Sequence, residues 1–349
     1  MSKITAAAAT SHTLSVTAME EASRLGERTA DIDHMLLALV VNEQTAGQVL
    51  RSLGITLDTA REAVAAQHAA QLASLGVQTT APTPGRITFH ETGDYEWGPR
   101  SLAIIKRSAE GGKRGDAAAV LRELAAEPSG FVEAVLHRLD TTPEAVRARL
   151  DEVAGYPAPP QHIFEPSTLS GTSESFAPAA AERVWDLLAD PSRMPEWEPG
   201  TASVENAPTQ FDAELTAELT AAPAEPAEPT AGSSWIAHAR TERPDGKPVR
   251  VKPRHRTSRV ELIALEPRHA IEWRFTWPDA PGANARRVRV ELEPAAGGTH
   301  LRLSLAWERN QARARSPFVP LRRIMRPLHR FAIWMQLSQL GGSIGRAFR

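Results

Sequence analysis

The run ASRLGERTADIDHMLLAL, Ala22 to Leu39, decides how the first part of the chain reads. It closes one helix at Gly26, turns, and opens a second helix after Asp31. Glycine adopts the left-handed conformation that ends a helix at little cost, and an aspartate at the N-cap can accept from free helical N–H groups. Met35, Leu36, Leu39 and Val40 then share one helical stripe. Ala46, Val49, Leu50 and Leu53 make another, closed by Gly54, and Leu57, Ala60 and Val64 a further one.

The same order returns later in the chain. PRSLAIIKRSAEGGKRGDAAAVLREL (Pro99–Leu124) aligns with the first copy at an offset of 85 residues, placing Gly111 on Gly26 and Leu124 on Leu39. After one inserted residue the offset becomes 86, and Val135, Leu136 and Leu139 fall where Val49, Leu50 and Leu53 stood. Pro143, following Thr142, suits a first helical position. The expectation is a four-helix unit that occurs twice, an all-α module.

EEASRLG (Glu20–Gly26), IDHMLLAL (Ile32–Leu39) and WGPR (Trp97–Arg100) resemble the amino-terminal double repeat of Clp-type unfoldases, over about residues 8–155. The resemblance implies a module that docks proteins or peptides and, in some members, recognises phosphorylated arginine through an acidic residue. Asp33 occupies that acidic position in the first copy, and Ala118, which cannot pair with a cation, occupies it in the second. A carboxylate at Asp33 also suits a helix N-terminus for electrostatic reasons alone. His34 reads as a packed or capping histidine. No G-x-x-x-x-G-K-[ST] run exists, so this is a recognition module without the nucleotide-driven motor.

With 349 residues, 42% hydrophobic and 23% charged, the chain is long enough for about two domains with apolar cores. It has no cysteine, which excludes disulfides, thiolate metal sites and a cysteine nucleophile. The opening MSKITAAAAT lacks the apolar centre of a secretory signal, and Phe331–Leu340 is too short to span a bilayer. A cytoplasmic, bacterial protein is expected. The net charge of −2 conceals an asymmetry: residues 1–234 hold 17 Lys and Arg against 33 Asp and Glu, whereas residues 235–349 hold 23 against 9. Such a basic half could attract nucleic acid, acidic protein or a membrane surface, but charge speaks to association rather than fold. Nucleic acid is not expected as a partner, and a membrane surface is not favoured.

GYPAPPQ, Gly155–Gln161, is the clearest boundary, so a proline-rich linker is placed at 156–162 and a second domain at 163–348. His162–Phe176 reads as a strand, and AERVWDLLADPSRMPEWEP (Ala181–Pro199) as two short helical pieces broken at Pro191. Residues 206–232 are acidic and of low complexity, and read as a flexible insertion. Strand-like alternation resumes in SSWIAHARTE, RTSRVELIALE, AIEWRFTW, RRVRVELEP and THLRLSLAWE, and a long helix closes the chain from about Pro317 or Pro320 to Arg346. Residues 1–10 read as loose.

This order, with AERVWDLLADPSRMPEWEP as its most specific stretch, resembles the START-like superfamily and in particular its polyketide cyclase/dehydrase members. The resemblance implies an α+β helix-grip fold in which a curved sheet wraps the last helix around an apolar cavity. Seven of the eight tryptophans lie in this part. Trp235, Trp273, Phe275, Trp307 and Trp334 are the candidates for a ligand-facing wall, although large aromatics also simply fill cores. An apolar wall with few polar anchors suits a hydrophobic small molecule. No H-E-x-x-H, no G-x-S-x-G and no identifiable carboxylate pair occurs, so neither catalytic residues, metal nor cofactor are assigned. The basic last helix, with Arg322, Arg323, Arg326 and Arg330, reads as a helix that grips the sheet and keeps its arginines solvated.

The expected role is a non-enzymatic binding protein, an accessory, adaptor or decoy of the Clp system with a hydrophobic-ligand domain. The alternative is a START-like cyclase or hydrolase tethered by the helical repeat.

Overall fold

A computed structural model describes residues 3–77, 84–87, 95–153, 169–207, 231–243, 246–308 and 319–349, with residues 3–6, 319–328 and 330 described by backbone alone. The expected linker at 156–162, most of the acidic insertion at 206–232 and most of the connector before Trp97 lie outside the described residues. The chain divides into two compact units, residues 1–159 with Arg349 and residues 160–348.

The first unit is helical: α1 Lys3–Arg24, α2 Ile32–Val40, α3 Thr45–Ser52, α4 Leu57–Ser74, α5 Pro99–Ala109, α6 Ala117–Leu124, α7 Phe131–Arg138 and α8 Pro143–Val153. Residues 3–10, read from sequence as loose, belong to α1, because an unbroken alanine run has the highest helix propensity available. Gly26 and Gly111 both take positive φ, +76° and +63°, at the turns that follow α1 and α5. Every residue of α2 is buried, so this helix has no solvent face and sits at the centre, touching α1, α3, α4, α5, α6 and α7. The packing is reciprocal: α3 lies on α8 while α7 lies on α4.

The WGPR run joins the two sets of helices. A two-residue strand β1 (Thr29–Ala30) pairs parallel with β2 (Glu96–Trp97), a pairing that carries no periodic signal in sequence. Trp97 donates its indole N–H to Ser15 Oγ at 2.9 Å, and Pro99 opens α5. Arg100 donates to one oxygen of Asp31, Oδ2, through both Nε at 3.0 Å and Nη2 at 2.6 Å, a charge-assisted pair. Arg51, buried on α3, donates through Nη1 to the carbonyls of Val40 (2.6 Å) and Asn42 (2.9 Å), closing the C-terminal end of α2. Burial pulls its guanidinium pKa down to about 10.

The second unit is a seven-stranded antiparallel sheet with helices on one face. Its strands are β3 Leu169–Ala177, β4 Thr201–Glu205, β5 Ser234–Ala239, β6 Thr257–Glu266, β7 Ala270–Thr276, β8 Ala285–Ala295 and β9 Gly298–Glu308. Their order is β3-β9-β8-β7-β6-β5-β4, so the first and last strands pair and β4 forms the far edge. The strand β4 was not anticipated from sequence, where TASVE is too short and too polar to stand out. Between β3 and β4 lie α9 (Ala181–Ala189) and the short α10 (Met194–Trp197); the chain ends in α11 (Val319–Arg346).

Alternation sorts the sheet into two faces. Val260, Leu262, Trp273, Phe275, Val288, Val290, Leu292, Leu301, Leu303 and Leu305 are buried with Val184, Trp185, Leu188 and Trp197 of the short helices and Ile333, Leu337, Leu340 and Ile344 of α11. The helix α11 packs chiefly on β3 and β9. Gly171 and Gly341 allow that approach: a Cβ at Gly341 would stand 2.7 Å from Ser175 Cβ and 2.8 Å from Leu303 Cδ1. The opposite face is an ionic lattice. Arg287 meets Glu272 at 2.6 Å, Arg289 meets Glu266 and Glu291 at 2.9 Å, Arg274 meets Glu308 at 2.9 Å, and Arg302 meets Glu293 at 3.4 Å. The arginines of these strands are thus largely matched by glutamates of the same sheet, which removes much of the basic character that composition suggests for them.

Candidate functional site

Strand register sets a row of residues across the apolar face. Trp235, Val260, Phe275, Arg286 and Trp307 are successive Cα partners on β5, β6, β7, β8 and β9. The neighbouring row runs Leu262, Trp273, Val288, Leu305 and Gly171. Four of the five expected wall residues therefore share one face of the sheet. Trp235, Trp273 and Phe275 are buried in the core there, and Trp307 packs on its margin, stacked with Trp277 at 6.0 Å. Trp334 is on α11 instead, its ring 5.7 Å from that of the exposed Phe331.

One cation interrupts the apolar row. Arg286 alternates in phase with Val288, Val290 and Leu292, so strand geometry turns it inward. Its Nη2 donates to Glu198 Oε1 at 3.0 Å, and its guanidinium lies 4.2 Å from the centre of the Phe275 ring. Glu198 is itself buried, and its Oε2 accepts from Thr201 Oγ1 at 2.9 Å. The backbone around it is pinned by Arg240, whose Nη2 donates to the carbonyls of Pro195 (3.1 Å) and Thr201 (3.0 Å). Trp197, beside Glu198, lies against Trp273 with ring centres 4.7 Å apart.

Sequence reasoning missed this polar group. The signal available was the phase of RRVRVELEP, in which Arg286 falls on the valine side and not on the side of Arg287 and Arg289. Three donors near this face lack partners: Trp197 Nε1, Trp235 Nε1 and Arg286 Nε are buried with no hydrogen bond.

Asp33 of the helical unit is buried, and both of its oxygens are engaged. Oδ1 lies 2.9 Å from His34 Nδ1 and accepts from the His34 N–H at 2.8 Å; Oδ2 lies 2.9 Å from His68 Nε2. Burial by itself would raise the Asp33 pKa, but the hydrogen bonds with His34 and His68 and the charge of His34 outweigh it and hold the carboxyl well below its ordinary range. Burial would conversely lower the His34 pKa, but the Asp33 carboxylate, with Glu27 and Glu21, keeps it raised. His68, which holds Oδ2, is half exposed and lies 4.8 Å from the Phe131 ring.

A hollow of about 300 Å³ lies at the β7–β8 turn, lined by Arg274, Thr276, Trp277, Pro281 and Glu308, with Arg274 already paired to Glu308. Among the described residues no group of His, Asp or Glu is arranged to hold a metal ion, and no helix is long and apolar enough to cross a membrane.

Residues 169–332 match the family described as polyketide cyclase / dehydrase and lipid transport. The sheet, the short helices and α11 of this part of the chain fit an α+β helix-grip fold. Solved structures similar to it include the Polyketide_cyc-like protein Cgl2372 from Corynebacterium glutamicum, at 19% identity and TM-score 0.32, covering 52% of this chain and 92% of that one. SA2116 from Staphylococcus aureus is similar at 10% identity and TM-score 0.34, covering 52% and 94%. Ms6760 from Mycobacterium smegmatis is similar at 15% identity and TM-score 0.30, covering 52% and 91%. The search of curated proteins returned no match.

Proposed function

We infer that the chain is a binding protein whose helix-grip domain takes a hydrophobic small molecule against the apolar face of its sheet. The observation that carries this reading is the row Trp235–Val260–Phe275–Arg286–Trp307, apolar except for one cation that an internal glutamate neutralises. Large apolar side chains interrupted by few polar groups are the lining that a site for a hydrophobic molecule uses. A single carboxylate already tied to an arginine and a threonine is poorly placed to abstract or deliver a proton, which favours binding over cyclase or hydrolase chemistry.

The helical unit, in this reading, docks a protein or peptide as the Clp-type resemblance implies. The chain would then serve as an accessory or decoy of that system rather than as its motor. The reciprocal packing of α3 on α8 and α7 on α4 supports a duplicated module, while the engagement of Asp33 by two histidines argues for docking that does not depend on a free carboxylate there.

Native mass spectrometry of the full chain purified from a bacterial host tests the first part. A co-purifying apolar molecule, or saturable binding of an added hydrophobe, is the expected result; an empty protein that binds no member of a hydrophobe panel overturns it. Affinity capture from a bacterial lysate tests the second part, which fails if no Clp component is retained.

A further inference from the structure

Ion pairing within the sheet leaves an unmatched block of basic charge in one loop. Between β5 and β6, residues 240–256 carry seven Lys and Arg against two Asp and Glu. Arg243, Lys247, Arg250, Lys252, Arg254 and Arg256 are all exposed. All but Lys247 form no ion pair among the described residues, unlike Arg274, Arg287 and Arg289 of the strands. The loop is ordered by its own backbone. The Ala239 N–H donates to the Arg256 carbonyl at 2.7 Å, the Val249 N–H to that of Thr241 at 2.8 Å, and the Arg243 N–H to that of Lys247 at 2.9 Å. Cations gathered on so short a loop repel one another, and a bound polyanion relieves that repulsion while shedding its own counterions.

The loop adjoins the hollow at the β7–β8 turn. The His255 ring meets that of Trp277 edge-on with centres 5.9 Å apart, and Arg254 and Arg256 flank His255 in the chain. Trp277 lines the hollow of about 300 Å³ together with Arg274, Thr276 and Glu308. Arg274 and Thr276 alternate with Trp273 and Phe275, so the hollow lies on the ionic side of the sheet and not on its apolar face. Its wall suits a flat group with a polar edge. The indole offers apolar contact, Arg274 keeps N–H donors beyond the one given to Glu308, and Glu308 accepts. Flat groups strung on phosphates are what single-stranded nucleic acid presents. Six cations exceed the phosphates of a single nucleotide, and the loop exposes no large apolar side chain for insertion into lipid.

We propose that the β5–β6 loop and the hollow beside Trp277 form a docking surface for single-stranded nucleic acid, with backbone phosphates on Arg250, Lys252, Arg254 and Arg256 and one base against Trp277. Guanidinium and ammonium groups on the phosphates supply most of the affinity, and the indole supplies contact with a base that tolerates any sequence. This surface is separate from the apolar row and independent of the hydrophobic-ligand reading. Composition did not point to nucleic acid because it does not separate arginines matched by glutamates from those left unmatched; the strand pairing does.

Fluorescence anisotropy of the full chain with a labelled oligothymidylate of about twelve nucleotides tests it. Saturable binding is expected at about 50 mM salt, weakening about 50- to 300-fold by about 200 mM, as for four to six neutralised phosphates. Arg250→Gln, Lys252→Gln and Arg254→Gln combined are expected to lower the slope of log Kd against log salt by about 2. Trp277→Leu is expected to weaken binding about 5-fold or more with the slope unchanged. No binding at the lower salt, or a triple variant that binds as the parent does, overturns the proposal. Inorganic polyphosphate that competes as well as unlabelled oligonucleotide of equal phosphate count, or undiminished binding by Trp277→Leu, overturns the seat for a base. Tighter binding to phosphatidylserine vesicles than to the oligonucleotide overturns it in favour of a membrane surface. The three altered cations are exposed and make no ion pair among the described residues, so the triple variant decides the matter even if Trp277→Leu does not fold.

Discussion

Gly171 on β3 lies directly against Ile333 on α11: a Cβ at position 171 would stand 2.7 Å from Ile333 Cγ2. That contact is closer than methyl groups tolerate, so the absent side chain is what lets the last helix seat on the sheet. Gly171→Ala is therefore expected to lower the stability of the helix-grip domain by about 1–3 kcal/mol, the usual cost of overpacking a core. Gly282→Ala, where nothing lies within 4 Å, is the control and should be nearly neutral. Denaturant unfolding followed by tryptophan fluorescence reads both, and an unchanged midpoint in Gly171→Ala would falsify the seating argument.

The Arg286–Glu198 pair makes a second expectation. Removing one partner strands the other in the core, so Arg286→Met should cost about 3–5 kcal/mol. Glu198→Gln introduced alongside it should recover part of that loss, because the uncompensated charge disappears. A double variant as unstable as the sum of its single changes would show that the two residues do not act as a pair.

The helical unit should respond to pH through Asp33 and His34. The raised pKa of His34 means that its contribution is complete below the ordinary histidine value of 6.5 and is lost as pH climbs through the higher folded value. The lowered pKa of Asp33 works the other way: its contribution is complete above the ordinary 3.8 and is lost as pH falls through the folded value. Between those limits both are present, so protection of the Ile32–Val40 amides from hydrogen exchange, corrected for intrinsic rate, should peak in mild acid. Asp33→Asn should flatten the profile; a profile that the substitution leaves unaltered would contradict the assignment.

Arg51 closes the end of the central helix from within the core, where it donates to two carbonyls. Arg51→Met keeps much of the apolar stem and loses those charge-assisted bonds, with an expected loss of about 1.5–3 kcal/mol. Thermal unfolding of the variant provides the measurement, and a melting temperature equal to the parent's would mean that water satisfies those carbonyls equally well.

Much of the architecture is legible locally. The apolar run of α2 marks a helix without a solvent face, Gly26 and Gly111 mark equivalent turns, and alternation in β6, β8 and β9 marks strands with one buried side. Periodicity of this kind is a property of neighbours in the chain, so residue order alone determines it. The same local logic misread the alanine-rich start of α1 as loose and passed over β4, β1 and β2, whose stability comes from partners and not from pattern. The helix-grip domain itself was readable from AERVWDLLADPSRMPEWEP and the run of strands after it.

The candidate site was legible only in part. Trp235, Trp273, Phe275 and Trp307 were visible as large aromatics on alternating strands, and the phase of Arg286 could have been read from the same alternation. Residue order determined that Arg286 would face inward with the valines, because successive side chains of a strand point to opposite sides. That Glu198 would meet it, that Asp33 would be claimed by His68, and that Ile333 would need Gly171 beneath it were decided by tertiary structure alone. Each depends on strand register and chain reversal bringing together residues that are 88, 35 and 162 positions apart, and no local pattern encodes such distances.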